Sequence, residues 1–186
     1  MPDRQSLESK SAPEIGRGAG AGGPARTHHR IEIGEIQNPL LRKGLDLWAR
    51  MRGYRRFPAR SDLSPRDMAS LLRNTALVRV LKGGEEYEFR IVGDAIVQAQ
   101  WASLQGLTMR EVDSKLPGYG SALRSGYRAV FETREPLAYR GWFERSADKR
   151  AFFHESLVLP LGTDGKTVDH LLIIGVYAHK YDGAPS

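Results

Sequence analysis

The chain has 186 residues, of which 40% are hydrophobic and 9% aromatic, and it contains no cysteine. This composition suffices for one compact core and excludes disulfide scaffolds, thiolate metal sites and cysteine nucleophiles. The formal net charge is +6, and the whole excess lies in residues 42–73, which carry nine basic and three acidic side chains.

Residues 1–35 are predicted to be a disordered tail, because Gly, Ala, Pro, Ser and Arg dominate and large apolar side chains are scarce. Residues 18–23 formally match a dinucleotide-binding glycine pattern, but no strand precedes them, which favours a low-complexity linker. His28 and His29 are expected to be solvated. The tail lacks a signal-peptide core, and the longest apolar stretch, residues 171–178, is too short to span a membrane, so we expect a cytoplasmic protein.

Residues 36–186 are predicted to form a single domain that opens with a basic helical segment, residues 36–73. Asn38 is a capping residue followed by proline, a pattern typical of a helix start, and Gly53 is predicted to end that helix. Ser64, again followed by proline, is expected to begin a second helix.

Residues 74–180 are predicted to form the core of the domain. Two β-rich runs indicate a hairpin, and residues 94–132 then return to helical spacing. Because the strands are joined by short links, we expect antiparallel pairing and an α+β fold. The predicted fold has a five-stranded antiparallel sheet. A helical excursion between strands 2 and 3 crosses one face of this sheet, and the N-terminal helices cover the other face. The predicted strands are residues 76–81, 87–92, 136–144, 150–160 and 168–179.

Four segments carry recognisable motifs: residues 47–48 (Leu-Trp), 57–65 (FPARSDLSP), 87–93 (YEFRIVG) and 155–165 (ESLVLPLGTDG). On these motifs the chain resembles the PAS superfamily over residues 37–180, and most closely small stand-alone bacterial PAS-domain proteins with an N-terminal helical segment. The resemblance implies a curved sheet around a pocket for an unknown small-molecule ligand. It also implies a non-catalytic sensor or protein-interaction module in signal transduction, which forms a homodimer through its first helix and passes its signal to a separate signalling protein.

The resemblance leaves the cofactor unknown, but the composition narrows the choice. A covalent flavin adduct and a thioester-linked chromophore both need cysteine and are therefore excluded. Haem is disfavoured, because His154, His170 and His179 fall on predicted strands and no histidine lies in residues 94–132. A tyrosine or methionine haem ligand remains formally open.

The candidate ligand pocket lies between the helical excursion and the last three strands. Strand alternation puts Phe152 and His154 on one face and Phe153 and Glu155 on the other, and the sequence leaves open which face lines the pocket. For each aromatic side chain taken alone, core packing is the alternative interpretation. The candidate pocket residues are Trp101, Tyr119, Tyr127, Phe131, Tyr139, Phe153, His154 and Glu155.

Two other functions stay open. The arginines near the end of the first helix, Arg50, Arg52, Arg55 and Arg56, suit an adaptor that binds nucleic acid or an anionic surface, although pairing within their own domain is the favoured interpretation. A small cone-like isomerase or hydrolase would use His154 and Glu155 as acid–base groups, which requires both side chains to face one cavity. No catalytic or metal-binding motif supports an enzyme, and Arg140 is expected to pair with Glu155 across neighbouring strands.

Overall fold

A computed structural model describes residues 26–145 and 147–179. Its centre is a six-stranded sheet with the order β1-β4-β5-β6-β2-β3, in which every neighbouring pair is antiparallel. The predicted α+β class, with a helical excursion after the first hairpin, is confirmed. The strands are β1 (Arg26–Ile31), β2 (Thr75–Leu81), β3 (Glu86–Val92), β4 (Leu137–Glu144), β5 (Ala151–Leu161) and β6 (His170–His179).

The helices begin and end where local signals favour it. The Asn38 side chain accepts a hydrogen bond from the Leu40 amide at 2.9 Å, and the first helix ends at Gly53, which has a φ of 55°. The second helix is only four residues long and is followed by a 3-10 turn, so it is shorter than the sequence pattern suggested. The helices are α1 (Pro39–Arg52), α2 (Pro65–Met68), α3 (Asp94–Gln100), α4 (Met109–Lys115) and α5 (Tyr119–Thr133).

The sheet has one strand more than the sequence predicts, namely β1. The prediction that residues 26–35 belong to a disordered tail is therefore wrong. These residues form β1 and a short 3-10 helix. An edge strand gains most of its contacts from backbone pairing, so it needs few apolar side chains. Here the pairing runs along β4, and Ile31 is a buried apolar side chain of β1. The rest of the predicted tail, residues 1–25, and the glycine-rich run within it lie outside the described residues.

Both faces of the sheet are covered, as expected. On one face α1 packs closely on β6, since a Cβ at Gly44 would overlap the Ile174 side chain. The indole of Trp48 donates a hydrogen bond to the Pro160 carbonyl oxygen at 2.9 Å. On the other face lie α3, α4 and α5, and Ile173 points toward them. Neighbouring residues of β6 therefore enter two separate apolar layers, which explains the unbroken apolar run in this strand.

Candidate functional site

A cavity of about 70 Å³ lies between the sheet and helices α3 and α5. Alternate residues of β5 reach it, namely His154, Ser156 and Val158, and this decides which face of the strand lines the pocket. On α5 the lining residues recur at helical spacing, from Tyr119 to Tyr127. The space is large enough for several waters or a compact organic group.

Six aromatic side chains form a large part of the cavity wall. The Tyr139 ring packs directly on α5, because a Cβ at Gly126 would lie only 3.0 Å from the Tyr139 hydroxyl oxygen. Tyr127 meets the neighbouring Tyr87 ring edge to face, with 5.6 Å between the ring centroids. Rigid rings of this kind give the cavity a fixed shape with little loss of side-chain entropy. The lining aromatic residues are Phe89, Tyr119, Tyr127, Tyr139, Phe143 and Tyr177.

Two histidines meet at the cavity. The rings of His28 on β1 and His154 on β5 lie 4.6 Å apart between centroids and are tilted by 55°. Both line the cavity, and His154 is buried. The expectation that His28 is solvated is therefore wrong, because β1 pairs with β4 and points this residue inward. No local pattern around His28 marks it as part of a strand, so sequence reasoning missed it.

Sequence reasoning also missed lining residues beyond the aromatic set it considered. Phe143 on β4 and Tyr177 on β6 lie on the same sheet face as His154. Gln100 reaches the cavity from α3, and Ser156 follows His154 by two residues. Strand alternation could have found Ser156 once His154 was known to point inward. The positions of Phe143, Tyr177 and Gln100 depend on how the strands and helices pack together, and the neighbouring sequence does not contain that information.

Burial raises the pKa of three tyrosines at or behind the cavity. It raises the pKa of Tyr127 well above its usual range and also raises the pKa of Tyr139. Behind Tyr127, burial raises the pKa of Tyr87 to about 12, against the opposing effect of two nearby arginines. Among the described residues that line the cavity, none carries a carboxylate, an ammonium or a guanidinium group. At neutral pH the wall therefore consists of neutral phenols, apolar groups and two imidazoles.

Four of the predicted pocket residues line the cavity: Tyr119, Tyr127, Tyr139 and His154. Trp101 does not, because its side chain is 63% exposed and lies over the Arg145 guanidinium at 4.7 Å. Phe131 is also directed elsewhere, with its ring packed against Gly84 at the β2–β3 connection.

Phe153 and Glu155 lie on the opposite sheet face from His154. Phe153 meets Trp142 edge to face, with 5.4 Å between the ring centroids. The Glu155 carboxylate accepts hydrogen bonds from the backbone amides of Gln37 and Asn38 at 3.1 and 3.3 Å. This placement removes the acid–base hypothesis for His154 and Glu155, because the two side chains do not share a cavity.

Glu155 instead fastens the start of α1 to the sheet. It pairs with Arg140 at 2.9 Å, and its side chain is only 4% exposed. Arg140 also donates a hydrogen bond to the Glu35 carbonyl oxygen at 2.8 Å. The expected cross-strand ion pair is therefore present, but it is buried and joins three segments of the chain.

The predicted basic surface is largely used within the fold. Arg55 donates a hydrogen bond to the Met51 carbonyl oxygen at 2.6 Å and pairs with Asp62 at 2.8 Å. Arg56 donates to a carbonyl oxygen at the end of α5 at 2.9 Å. The Arg52 guanidinium lies 5.3 Å from the centre of the Trp48 ring, and Arg50 is exposed to solvent. Three of the four arginines thus have contacts inside the domain.

Residues 26–145 and 147–179 contain neither a helix suited to span a membrane nor a cluster suited to hold a metal ion. No helix in this part of the chain has the length and apolar character needed to cross a membrane. No group of three or more His, Asp or Glu side chains there has an arrangement that could hold a metal ion.

Comparison with known proteins gives one family. A family model described as a PAS domain matches residues 37–178. A solved chain titled "Structure of an RNA-binding Light-Oxygen-Voltage Receptor" is similar in backbone, with a TM-score of 0.48 and 12% sequence identity. The similarity covers 82% of this chain and 39% of the solved one, so the present chain spans well under half of the length of that neighbour. No curated protein matches the chain in sequence.

Proposed function

The chain belongs to the PAS domain family, and on this premise we propose that it is a non-catalytic sensor module. It binds a small ligand in the cavity between α5 and the sheet and passes the signal to a separate protein. The observation that carries the proposal is the cavity itself, which is walled by rigid aromatic rings and reached by the His28–His154 pair. Such a combination of apolar walls with a few convergent polar groups is typical of small-molecule sites.

The size and chemistry of the cavity narrow the ligand class. At about 70 Å³ the space is well below the roughly 300–1,000 Å³ of sites for drug-sized ligands. A haem or a flavin exceeds it, and the chain has no cysteine for a covalent chromophore. The phenols and imidazoles supply hydrogen-bond donors. We therefore propose a compact metabolite with a hydrogen-bond acceptor, such as a small carboxylic acid or amide.

A cavity-filling variant tests this proposal. Ser156→Leu adds apolar volume on the cavity face of β5, so it should abolish ligand binding while the fold is retained. We would screen small carboxylic acids and amides by ligand-observed NMR and thermal shift, and verify the fold of each variant by circular dichroism. Ser114→Leu is the matched control, because Ser114 is exposed on α4, away from the cavity.

The expected result is one or more compounds that raise the melting temperature of the native chain and of Ser114→Leu, but not of Ser156→Leu. Native mass spectrometry of gently purified protein would report any ligand that is carried through purification. If no compound binds and no bound species is found, the sensing function is refuted and only an interaction scaffold remains.

The proposal includes a homodimer formed through α1. The solvent face of this helix exposes Arg42, Lys43, Asp46 and Arg50, so it is net positive in each copy, and a contact between two such faces would be polar and strengthened when salt screens their repulsion. Sedimentation velocity at low and at high ionic strength should show a dimer whose fraction rises as salt is added. A monomer at both ionic strengths would contradict this part of the proposal.

A further inference from the structure

A second, open cleft of about 450 Å³ lies beside the cavity, at the ends of β5 and β6 and along α3. Unlike the cavity, it falls within the roughly 300–1,000 Å³ that is usual for drug-sized ligands. Three arginines and two aromatic side chains contribute to its lining, and two of these arginines, Arg145 and Arg150, share the Asp148 carboxylate. The basic and aromatic lining residues are Arg73, Arg145, Arg150, His179, Phe152 and Tyr177.

Two arginines of this cleft keep donors for a ligand. Arg73 approaches Asp94 at 3.5 Å through its Nη2 atom, and Arg150 approaches Asp148 at 3.1 Å through its Nε atom. Both guanidinium groups are more than 60% exposed, and such surface pairs contribute only about 0–1 kcal/mol. An incoming anion can therefore displace or extend these pairs at little cost.

The third arginine is held rigidly. The Arg145 guanidinium lies between the Trp101 and Phe152 rings, at 4.7 and 4.8 Å from their centres. It makes two hydrogen bonds to Asp148, at 2.9 and 2.6 Å, and donates a third to the Gln98 carbonyl oxygen at 2.8 Å. Asp148 neutralises the charge of this guanidinium, so Arg145 holds the Phe152 ring in place. Contact with an anion is left to the two exposed arginines of the cleft, Arg73 and Arg150.

The backbone at Trp101 places its ring over Arg145. Trp101 is the C-cap of α3 and has a φ of 56°, a left-handed conformation with which helices commonly end. Its ring is exposed above the Arg145 guanidinium.

We propose that this cleft binds an organic phosphate monoester of about nucleotide size. Guanidinium groups match phosphate oxygens in geometry and charge, so Arg73 and Arg150 would hold the phosphate. The volume exceeds that of phosphate alone, and Tyr177 with the edge of Phe152 offers an apolar wall for the organic part. The site is distinct from the sensing cavity, since Tyr177 lies between the two and lines both.

The test uses AMP and inorganic phosphate as probes, with the full chain, in isothermal titration calorimetry at low ionic strength. AMP should bind more tightly than inorganic phosphate. Arg73→Gln and Arg150→Gln should each weaken AMP binding about fivefold or more, because each removes a charge-assisted hydrogen bond. Arg66→Gln removes the same charge from an exposed position on α2 outside the cleft and should leave the affinity unchanged.

Three results would overturn the proposal: no binding of AMP, equal affinity for AMP and inorganic phosphate, or equal effects of the three arginine substitutions. Ser156→Leu separates this site from the sensing cavity. The variant should keep full AMP affinity, and a loss would mean that AMP enters the cavity instead. The experiment measures AMP affinity, so its result for the cleft does not depend on whether a metabolite binds in the cavity.

Discussion

Glu155 shows how far the role of one residue depends on its partners. Its position on a predicted strand beside His154 suggested chemistry, but its carboxylate faces α1 and accepts two backbone amides there. With Arg140 as its ion-pair partner, it accepts hydrogen bonds from two other segments, and Arg140 in turn donates to the Glu35 carbonyl oxygen. A buried carboxylate in such a network is structural, and its removal leaves several donors without an acceptor.

We therefore expect Glu155→Ala to lower the free energy of unfolding by about 3 kcal/mol, since a partly buried guanidinium loses its counter-charge. Glu155→Gln keeps one acceptor oxygen and should give a smaller loss. Urea denaturation followed by circular dichroism measures both. Glu132→Ala is the control, because its ion pair with Arg128 is exposed and its loss should leave stability nearly unchanged. Equal losses for Glu155→Ala and Glu132→Ala would contradict a structural role for the buried pair.

The residues of the cavity show what the sequence could and could not reveal. Tyr119 and Tyr127 were predictable, because helical spacing places them on the inward face of α5, whereas strand spacing named His154 without deciding its face. His28 was not predictable, since its inward position depends on β1 pairing with β4 more than a hundred residues later in the chain. The choice between the two faces of β5 likewise depends on which helices cover each face, and no local pattern contains that information.

At the scale of elements, β1 is the least secured strand of the sheet. Within the described part of the chain it pairs with β4 alone, and of residues 27–31 only Ile31 is buried. Edge elements with few buried contacts open first in native-state fluctuations. Because β1 also brings His28 to the cavity, undocking of this strand would remove one wall of the proposed sensing site.

Gly141 provides a way to undock β1. A Cβ at this position would overlap the carbonyl oxygen of Thr27 on β1, and a backbone atom in a paired strand cannot move aside. Gly141→Ala should therefore raise the hydrogen-exchange rates of β1 amides about tenfold or more, while the β5–β6 pairing stays protected. Hydrogen-exchange mass spectrometry measures this. Gly34→Ala is the control, since a Cβ there meets no atom within 4 Å. Unchanged protection of β1 in Gly141→Ala would show that the contact is not limiting.

The other elements were largely predictable from the sequence, because their signals are local. The Asn-Pro start of α1, the glycine at its end and the Asp164–Gly165 turn before β6 all operate within a few residues. The Asp164 carboxylate accepts the Lys166 and Thr167 amides at 2.8 and 2.7 Å, which closes that turn. Strand β1 lacked such a signal, since its polar residues gain their stability from the backbone of β4.

At the scale of the whole molecule, the charge of +6 is concentrated on the segment that precedes the sheet. A concentrated positive charge invites the interpretation of a surface for polyanions. Yet Arg55 and Arg56 donate to backbone carbonyl oxygens of the domain, and Arg52 lies over Trp48. Part of the excess charge therefore secures the end of α1 to α5 and to the connector after it.

Two triple variants with the same change in charge separate these roles. Replacing Arg52, Arg55 and Arg56 by Gln should lower the free energy of unfolding by about 1–2 kcal/mol, because hydrogen bonds within the domain are lost. Replacing Lys43, Arg50 and Arg66 by Gln should leave stability nearly unchanged, since none of these three makes an ion pair within the described part of the chain. Urea denaturation measures the stability of both variants.

Binding of a fluorescent oligonucleotide to the same variants at several salt concentrations tests whether the arginines form a surface for nucleic acid. If the arginines serve the fold, the native chain should bind the oligonucleotide weakly at physiological salt, and the two triple variants should differ in stability but not in binding. Tight binding that falls steeply with salt, and is lost in both variants, would instead establish the adaptor function. Because both variants remove three positive charges, a difference between them cannot come from net charge and must come from the contacts of the individual arginines.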